Sequence, residues 1–447
     1  MISPLSARAA LTSALAAMAA IILSACGSSG GSSGAQAYPI SGNLSGLASG
    51  ATVVLQDNGG DNLTLTANGS FTFSASASGY SVTVLTQPLH QICTVANASG
   101  VAITAVSSVQ VTCATAQFAY VVNDATNGSV SAFSVGSNGA LTPVAGSPFA
   151  AGSLPTSVAV TPAGTFAYVV NYTNGTVSAY SIGSNGALAQ ISGSPFAAGT
   201  KPESIAVNPA GTFAYIADNT SSTGGNISGY SIGSNGALTP IPGSPFTTGI
   251  DPDSITVNPA GTIVYVANFG SSTVTAYNVG SNGALTPVTG SPFTTGTFPQ
   301  SITVNHAGTF AYVANFYSSN ISAYSIGSNG ALTPVTGSPF SAGSAPFSIA
   351  VNPAGTFAYV ANNMTNNVSA YSIGSTGALT QVAGSPFKAG TGPTAVTIDS
   401  AGAFAYVTNG DGTVSTYSIG ANGALAQISG SPFAAGMSPF AITLVQP

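Results

Sequence analysis

Pro346–Phe387 reads PFSIAVNPAGTFAYVANNMTNNVSAYSIGSTGALTQVAGSPF. The stretch holds four short runs with strand character: Pro346–Val351, Thr356–Asn362, Val368–Ile373 and Ala378–Val382. Asn-Pro-Ala-Gly separates the first two, the segment after Asn362 the next two, and Gly-Ser-Thr-Gly the last two. Short apolar alternation punctuated by Gly, Asn and Pro predicts β-strands joined by tight turns.

The unit recurs. Gly-Ser-Pro-Phe stands at Gly146–Phe149, Gly193–Phe196, Gly243–Phe246, Gly290–Phe293, Gly337–Phe340, Gly384–Phe387 and Gly430–Phe433. Its prolines are 47, 50, 47, 47, 47 and 46 residues apart. A second block, G-[SA]-[NT]-G-A-L, starts at Gly136, Gly183, Gly233, Gly280, Gly327, Gly374 and Gly420. Four strands in about 47 residues is the pattern of a propeller blade, and seven copies predict seven blades. The period, and the lack of any helical pattern, exclude leucine-rich and helical repeats. The first copy begins at Phe118-Ala119-Tyr120 without its opening strand, and the chain finishes with that strand, Pro439–Leu444. The two ends should therefore complete one blade and leave the ring no free edge. The expected fold is all-β: a seven-bladed propeller over 116–447, preceded by a small β-sandwich over 36–115.

The central strands, such as Phe357-Ala358-Tyr359-Val360-Ala361-Asn362, resemble the YVTN-type repeat, and Tyr406-Val407-Thr408-Asn409 matches it letter for letter. This places the region among propellers similar to the seven-bladed lactonase-like family, which includes 6-phosphogluconolactonase. The resemblance implies the fold and, by extension, lactone hydrolysis. No position matches a catalytic residue of that family by motif.

Composition narrows the partners. Among 447 residues there are 3 Lys or Arg and 9 Asp or Glu, and the net charge is −6. Charged residues are 3% of the chain, against about 25% in an ordinary soluble protein. Nucleic-acid binding needs a basic stripe, which is missing. Phosphate recognition usually needs Arg, Lys or a Lys-bearing Gly-rich loop. A hydrophobic content of 44% excludes disorder.

Residues 1–25 carry export features: Arg8, then the apolar run Ala9–Leu23. Leu23-Ser24-Ala25-Cys26 resembles the bacterial lipoprotein signal, which implies lipidation of Cys26; the other reading is an ordinary secretory signal. Residues 26–35 form a Gly/Ser tether. The expected location is the bacterial cell envelope, at the outer membrane, facing the periplasm or the cell surface. Without Arg8 the mature chain has no Arg and a net charge of −7. Cys93 and Cys113, the remaining cysteines, read as a disulfide in an oxidising compartment. A metal site with His90 is the alternative. The strand runs Ala51–Gln56, Leu63–Thr66, Phe71–Phe73, Tyr80–Leu85, Val101–Ile103 and Val109–Cys113 make 36–115 resemble the Ig-like modules of bacterial surface proteins. That resemblance implies a spacer or adhesive role.

Within the propeller, positions that vary between blades are free to carry function. The residue after each blade-opening Pro is Thr156, Glu203, Asp253, Gln300, Phe347, Thr394 or Phe440. It should face the central channel, and Glu203, Asp253, Gln300, Phe347 and Phe440 are the candidate ligand-binding rim. Residues after the repeat Asn, including Asp124, Tyr172, Phe269 and Phe316, should lie nearby. Glu203, Asp218, Asp251 and Asp253 fall in consecutive units and suggest a negative patch, which suits either Ca²⁺ or solvated loop acids. No cofactor is expected otherwise, and no metal ligands are assigned. His306 replaces a turn proline and reads as a turn residue rather than a base.

Counting ionisable groups alone favours a lipid-anchored, non-enzymatic binding or scaffold protein. It would be monomeric in its propeller, with an envelope protein or glycan as partner. The alternatives are a lactonase-like hydrolase, which the resemblance implies, and a glycan-binding propeller using the aromatic rim.

Overall fold

The computed structural model describes residues 36–88, 91–221 and 224–446, and among these there is no helix. Arg8, Cys26 and His90 lie outside the described residues.

The N-terminal part is a two-sheet sandwich. One sheet runs Gly69–Ala77, Tyr38–Ser45, Val106–Thr115, Gln91–Ala96; the other runs Asp61–Leu65, Val53–Asp57, Gly79–Thr86, Ser99–Val101. Their inward residues, among them Ile40, Leu55, Phe71, Val82 and Val109, share one core. Tyr38–Ser45 lies parallel to Val106–Thr115. The sequence reading missed that first strand because Pro39 and Gly42 break its alternation. Cys93 and Cys113 pair across adjacent antiparallel strands and are joined by a disulfide.

Seven sheets follow. Blade 1 combines Phe118–Asn123, Ser129–Val135 and Leu141–Pro143 with the C-terminal strand Pro439–Val445, as the two chain ends predicted. Blades 2 to 7 open with Pro155–Val160, Pro202–Val207, Pro252–Val257, Pro299–Val304, Pro346–Val351 and Pro393–Ile398. These opening strands touch their neighbours in turn, and the last touches Pro439–Val445, so they line a closed central channel. Each blade also has a fifth strand of two or three residues, such as Phe387–Lys388, which pairs with the third strand beyond the end of the fourth. The repeat predicts four; a two-residue strand leaves no periodicity to read.

The invariant residues are accounted for by hydrogen bonds that hold strands and blades together. In every blade the Ser of Gly-Ser-Pro-Phe accepts an N–H from the third strand, as Ser385 Oγ does from Ala370 at 2.9 Å. The Ser–Pro bonds of all seven blocks are cis. Six of the seven fully buried repeat Tyr residues hydrogen-bond across an interface. Tyr312 Oη donates to Gly377 O at 3.0 Å in the next blade, and Tyr371 of that blade donates back to Ser341 O at 2.7 Å. Gly377 has φ 83°, and a Cβ there would meet Phe310 at 2.4 Å, so the turn requires glycine. The Ser of Pro-x-Ser laces the channel wall: Ser301 Oγ accepts from Ile349 N at 3.3 Å.

The interface between blades 7 and 1 lacks these links. Tyr406 Oη is buried without a partner. Phe133 stands where six blades have the returning Tyr, and Ala395 stands where five blades have the lacing Ser; Ala441 makes the same replacement on the side of blade 1 that faces blade 2.

Candidate functional site

In each opening strand the register slips between the Pro and the residue two beyond it. Pro202 pairs with Asp218 and Ser204 with Ala217, which leaves Glu203 as the extra residue of a β-bulge. The same slip isolates Thr156, Asp253, Gln300, Phe347, Thr394 and Phe440. A bulge re-aims its side chain and tolerates any residue type, so these seven positions can vary without disturbing the blades. They form a ring at one mouth of the channel.

The residue before each Pro sits in the left-handed region: Leu154, Lys201, Asp251, Phe298, Ala345, Gly392 and Ser438, with φ of 48–61°. Its carbonyl accepts the N–H of the residue after the repeat Asn or Asp. Asn219 N bonds Lys201 O at 3.1 Å and Phe269 N bonds Asp251 O at 2.7 Å. The repeat Asn anchors the same loop. Asn171 Oδ1 accepts from Gly152 N at 2.9 Å while its Nδ2 donates to the hydroxyls of Thr176 and Ser178. A Cβ on Gly152 would lie 2.5 Å from Asn171 Cγ, so the approach admits only glycine. The mouth is therefore rigid backbone carrying variable side chains, which is what a binding site needs.

The mouth has two unlike halves. On blades 3 and 4, with the neighbouring loop of blade 1, stand Glu203, Asp253, Asp251 and Asp124. Burial pushes the Glu203 carboxyl up to about 7, and the charges of Asp124 and Asp251 add to the rise against the opposing Lys201. Burial, then Glu203, then Asp251 push Asp253 up to about 8. Gln300 Nε2 donates to Asp253 Oδ2 at 2.9 Å and pulls the other way. Burial also raises Asp124, whose Oδ1 is buried without a partner. At neutral pH such a set holds one carboxyl largely protonated beside another that is partly ionised. On blades 5, 6 and 1 the rim is aromatic. Phe347 meets Phe440 edge to face at 5.6 Å, and Phe316 packs on Phe347 at 6.2 Å.

The predicted rim residues Glu203, Asp253, Gln300, Phe347 and Phe440 thus occupy equivalent bulges around one mouth. The acidic patch needs a correction. Asp218 is fully buried at the repeat-Asn position, bonded to Gly199 N at 3.2 Å and Ser228 Oγ at 2.6 Å. Asp124 takes its place in the patch. The signal was present, since Asp218 aligns with Asn171 and Asn268 in the repeat. Among the described residues no three His, Cys, Asp or Glu side chains are grouped to hold a metal ion, so the acids give no support to Ca²⁺. His306 is exposed in the Asn305–Gly308 turn, at the opposite end of the blade from Gln300. Lys201 stands over the Tyr172 ring at 5.8 Å and is the one Lys near the acids; Lys388 lies on a fifth strand.

The family model described as "Lactonase, 7-bladed beta-propeller" matches residues 69–194 and 190–439, its first segment beginning within the N-terminal sandwich. A search of curated proteins finds no match. Among solved structures, the chain is similar to a protein assigned as a 6-phosphogluconolactonase from Bacteroides uniformis (19% identity, TM-score 0.64, 74% of this chain and 99% of that one). A protein given the same assignment from Bacteroides fragilis has 20% identity and a TM-score of 0.62, over 74% and 98%. The periplasmic gluconolactonase of Pseudomonas aeruginosa has 17% identity and a TM-score of 0.61, over 74% and 100%. At these identities the likeness to solved structures is one of fold.

Proposed function

The chain belongs to the seven-bladed β-propeller lactonase family, and on that premise we propose that it hydrolyses uncharged sugar lactones at the channel mouth. The observation that carries the reading is the Glu203–Asp253 pair, two carboxyls raised to about 7 and about 8 opposite an aromatic arc. Glu203, ionised, takes a proton from water, whose oxygen attacks the lactone carbonyl carbon. The tetrahedral intermediate collapses with cleavage of the ring C–O bond. Asp253, protonated, gives its proton to the departing ring oxygen, and the product is the open hydroxy acid. Proton transfer from Glu203 to Asp253 resets the pair. Carboxyls poised near the working pH suit this exchange.

Substrate charge follows from the same residues. Four carboxylates against one Lys at the mouth repel a phosphate, and the apolar face of a sugar ring fits Phe347 and Phe440. The scaffold reading gives way for a physical reason. A whole-chain count of ionisable groups is blind to their gathering, and four of nine acids stand around one mouth, close enough to raise one another's carboxyls. A glycan-binding propeller without turnover is the second reading, favoured by the aromatic arc. The cellular setting we propose is the bacterial envelope, with the chain lipid-anchored at Cys26 and the sandwich as spacer, supported by the signal-like N-terminus and the disulfide.

The test is acid release from gluconolactone and from its 6-phosphate by the purified protein. Turnover should favour the neutral lactone, and Glu203→Gln should lower kcat by ~10²–10⁴-fold. Turnover no faster than the blank on both lactones, or undiminished by Glu203→Gln, would refute the proposal.

A further inference from the structure

Outside the mouth itself, blades 4 and 5 depart from the repeat at three places that converge. Phe269 follows the repeat Asn of blade 4, a position that is aromatic also at Tyr172 and Phe316 but holds Asp124, Asn219, Asn363 and Gly410 in the other blades. Phe298 occupies the left-handed position of blade 5 and is the one aromatic residue at a place held elsewhere by Leu154, Lys201, Asp251, Ala345, Gly392 and Ser438. Tyr317 follows Phe316, where blades 1 to 4 carry Ala125, Thr173, Thr220 and Gly270. The rings form a ladder: Phe269 stacks on Phe298 at 4.5 Å and 14°, and Phe298 meets Tyr317 edge to face at 5.7 Å. Tyr317 is 73% exposed.

The backbone gains nothing from these residues. The left-handed position is met by side chains as different as Leu154, Lys201, Asp251 and Ala345, so the loop itself asks for no aromatic ring. Phe298 is therefore explained by what its ring does. The ladder is also continuous with the acid pair. Phe298 is two residues from Gln300, whose amide donates to Asp253, and Phe269 N donates to the backbone carbonyl of Asp251. Flat rings beside carboxylate and amide groups, with no cation among them, match the C–H face and hydroxyls of an uncharged sugar.

We propose that Phe269, Phe298 and Tyr317 form a second sugar subsite running outward from the mouth, so that the ligand is a disaccharide or longer chain whose terminal sugar enters the mouth. The lactone at that terminus rests on the hydrolase reading; the subsite itself does not. The experiment has two arms. Saturation-transfer NMR and calorimetry with glucose, cellobiose, maltose and lactose measure binding. Turnover of gluconolactone and cellobionolactone measures the kcat/KM ratio. At least one disaccharide should bind tenfold or more tighter than glucose. Phe298→Gly and Tyr317→Ala should each remove most of that gain, while Met364→Ala, another exposed apolar residue, should keep it. If neither lactone is turned over, the hydrolase reading fails and the binding arm alone decides the subsite. Equal binding of glucose and every disaccharide, or disaccharide binding indifferent to Phe298→Gly and Tyr317→Ala in folded protein, would overturn the proposal.

Discussion

Asp218 provides an internally controlled experiment. Six blades place Asn at this position and bury it, as in Asn171, Asn268 and Asn315; blade 3 buries a carboxyl of the same shape. Burial raises it from 3.8 to about 6, against the hydrogen bonds from Ser228 and Gly199 that favour the charged form. Between those two values the folded chain holds a proton that the unfolded chain has released. Stability therefore falls as pH rises through this window, and by pH 7 the full cost is present. Two pK units at 1.36 kcal/mol each give ~3 kcal/mol. Asp218→Asn removes the charge, and its amide can donate to Ser228 Oγ as Asn171 does to Ser178 Oγ. For a propeller of about 330 residues the gain corresponds to a rise in Tm of ~4 °C. Thermal unfolding of both proteins should show this rise at pH 7.5 and its disappearance at pH 4. Glu203 and Asp253 titrate in both proteins, so their contribution cancels. No gain at pH 7.5, or an equal gain at pH 4, would refute the account.

Other expectations concern the mouth and the two folded parts. The pH–rate profile should be bell-shaped, rising as Glu203 ionises near 7 and falling as Asp253 loses its proton near 8. Gln300→Leu removes a hydrogen bond that holds Asp253 down, so the alkaline limb should move to higher pH, which a repeat of the profile would read directly. Phe133→Tyr should supply the returning hydroxyl missing at the interface of blades 7 and 1, raising stability by ~1 kcal/mol in denaturant titration. Replacing both Cys93 and Cys113 by Ala should destabilise the sandwich by ~3 kcal/mol, the entropy of a loop closed over a separation of 20 residues. Hydrogen exchange should localise that loss to residues before Thr115.

The ring was legible because its blades repeat: the spacing of Gly-Ser-Pro-Phe counts them, and Pro439–Leu444 says how they close. The two-residue strands and Tyr38–Ser45 were not, since brevity in one case and Pro39 with Gly42 in the other erase alternation. For the site, comparing blades picked out Glu203, Asp253 and Gln300 as variable. Their common cause, a bulge at each position, depends on register, which periodicity does not report. Which acids meet is also a matter of ring closure. Asp124 and Glu203 are far apart in the chain and become neighbours because blades 1, 2 and 3 curve around one axis, whereas Asp218, much nearer in sequence, turns its carboxyl into the blade.

A ring of near-identical blades has no intrinsic beginning, yet this one is marked. At blades 7 and 1, Tyr406 is unpartnered, and Phe133 and Ala395 lack the hydroxyls that stitch most other interfaces. The same interface is bounded by the only strand brought in from the far end of the chain, and that strand carries Phe440. Across this joint Thr394 Oγ1 donates to Pro439 O at 2.9 Å, so the wall that carries Phe440 is fastened at the mouth while the repeating Tyr and Ser links are missing. The ring is then closed at its seam by a different set of contacts from those that repeat elsewhere, much as a clasp differs from the links of its chain.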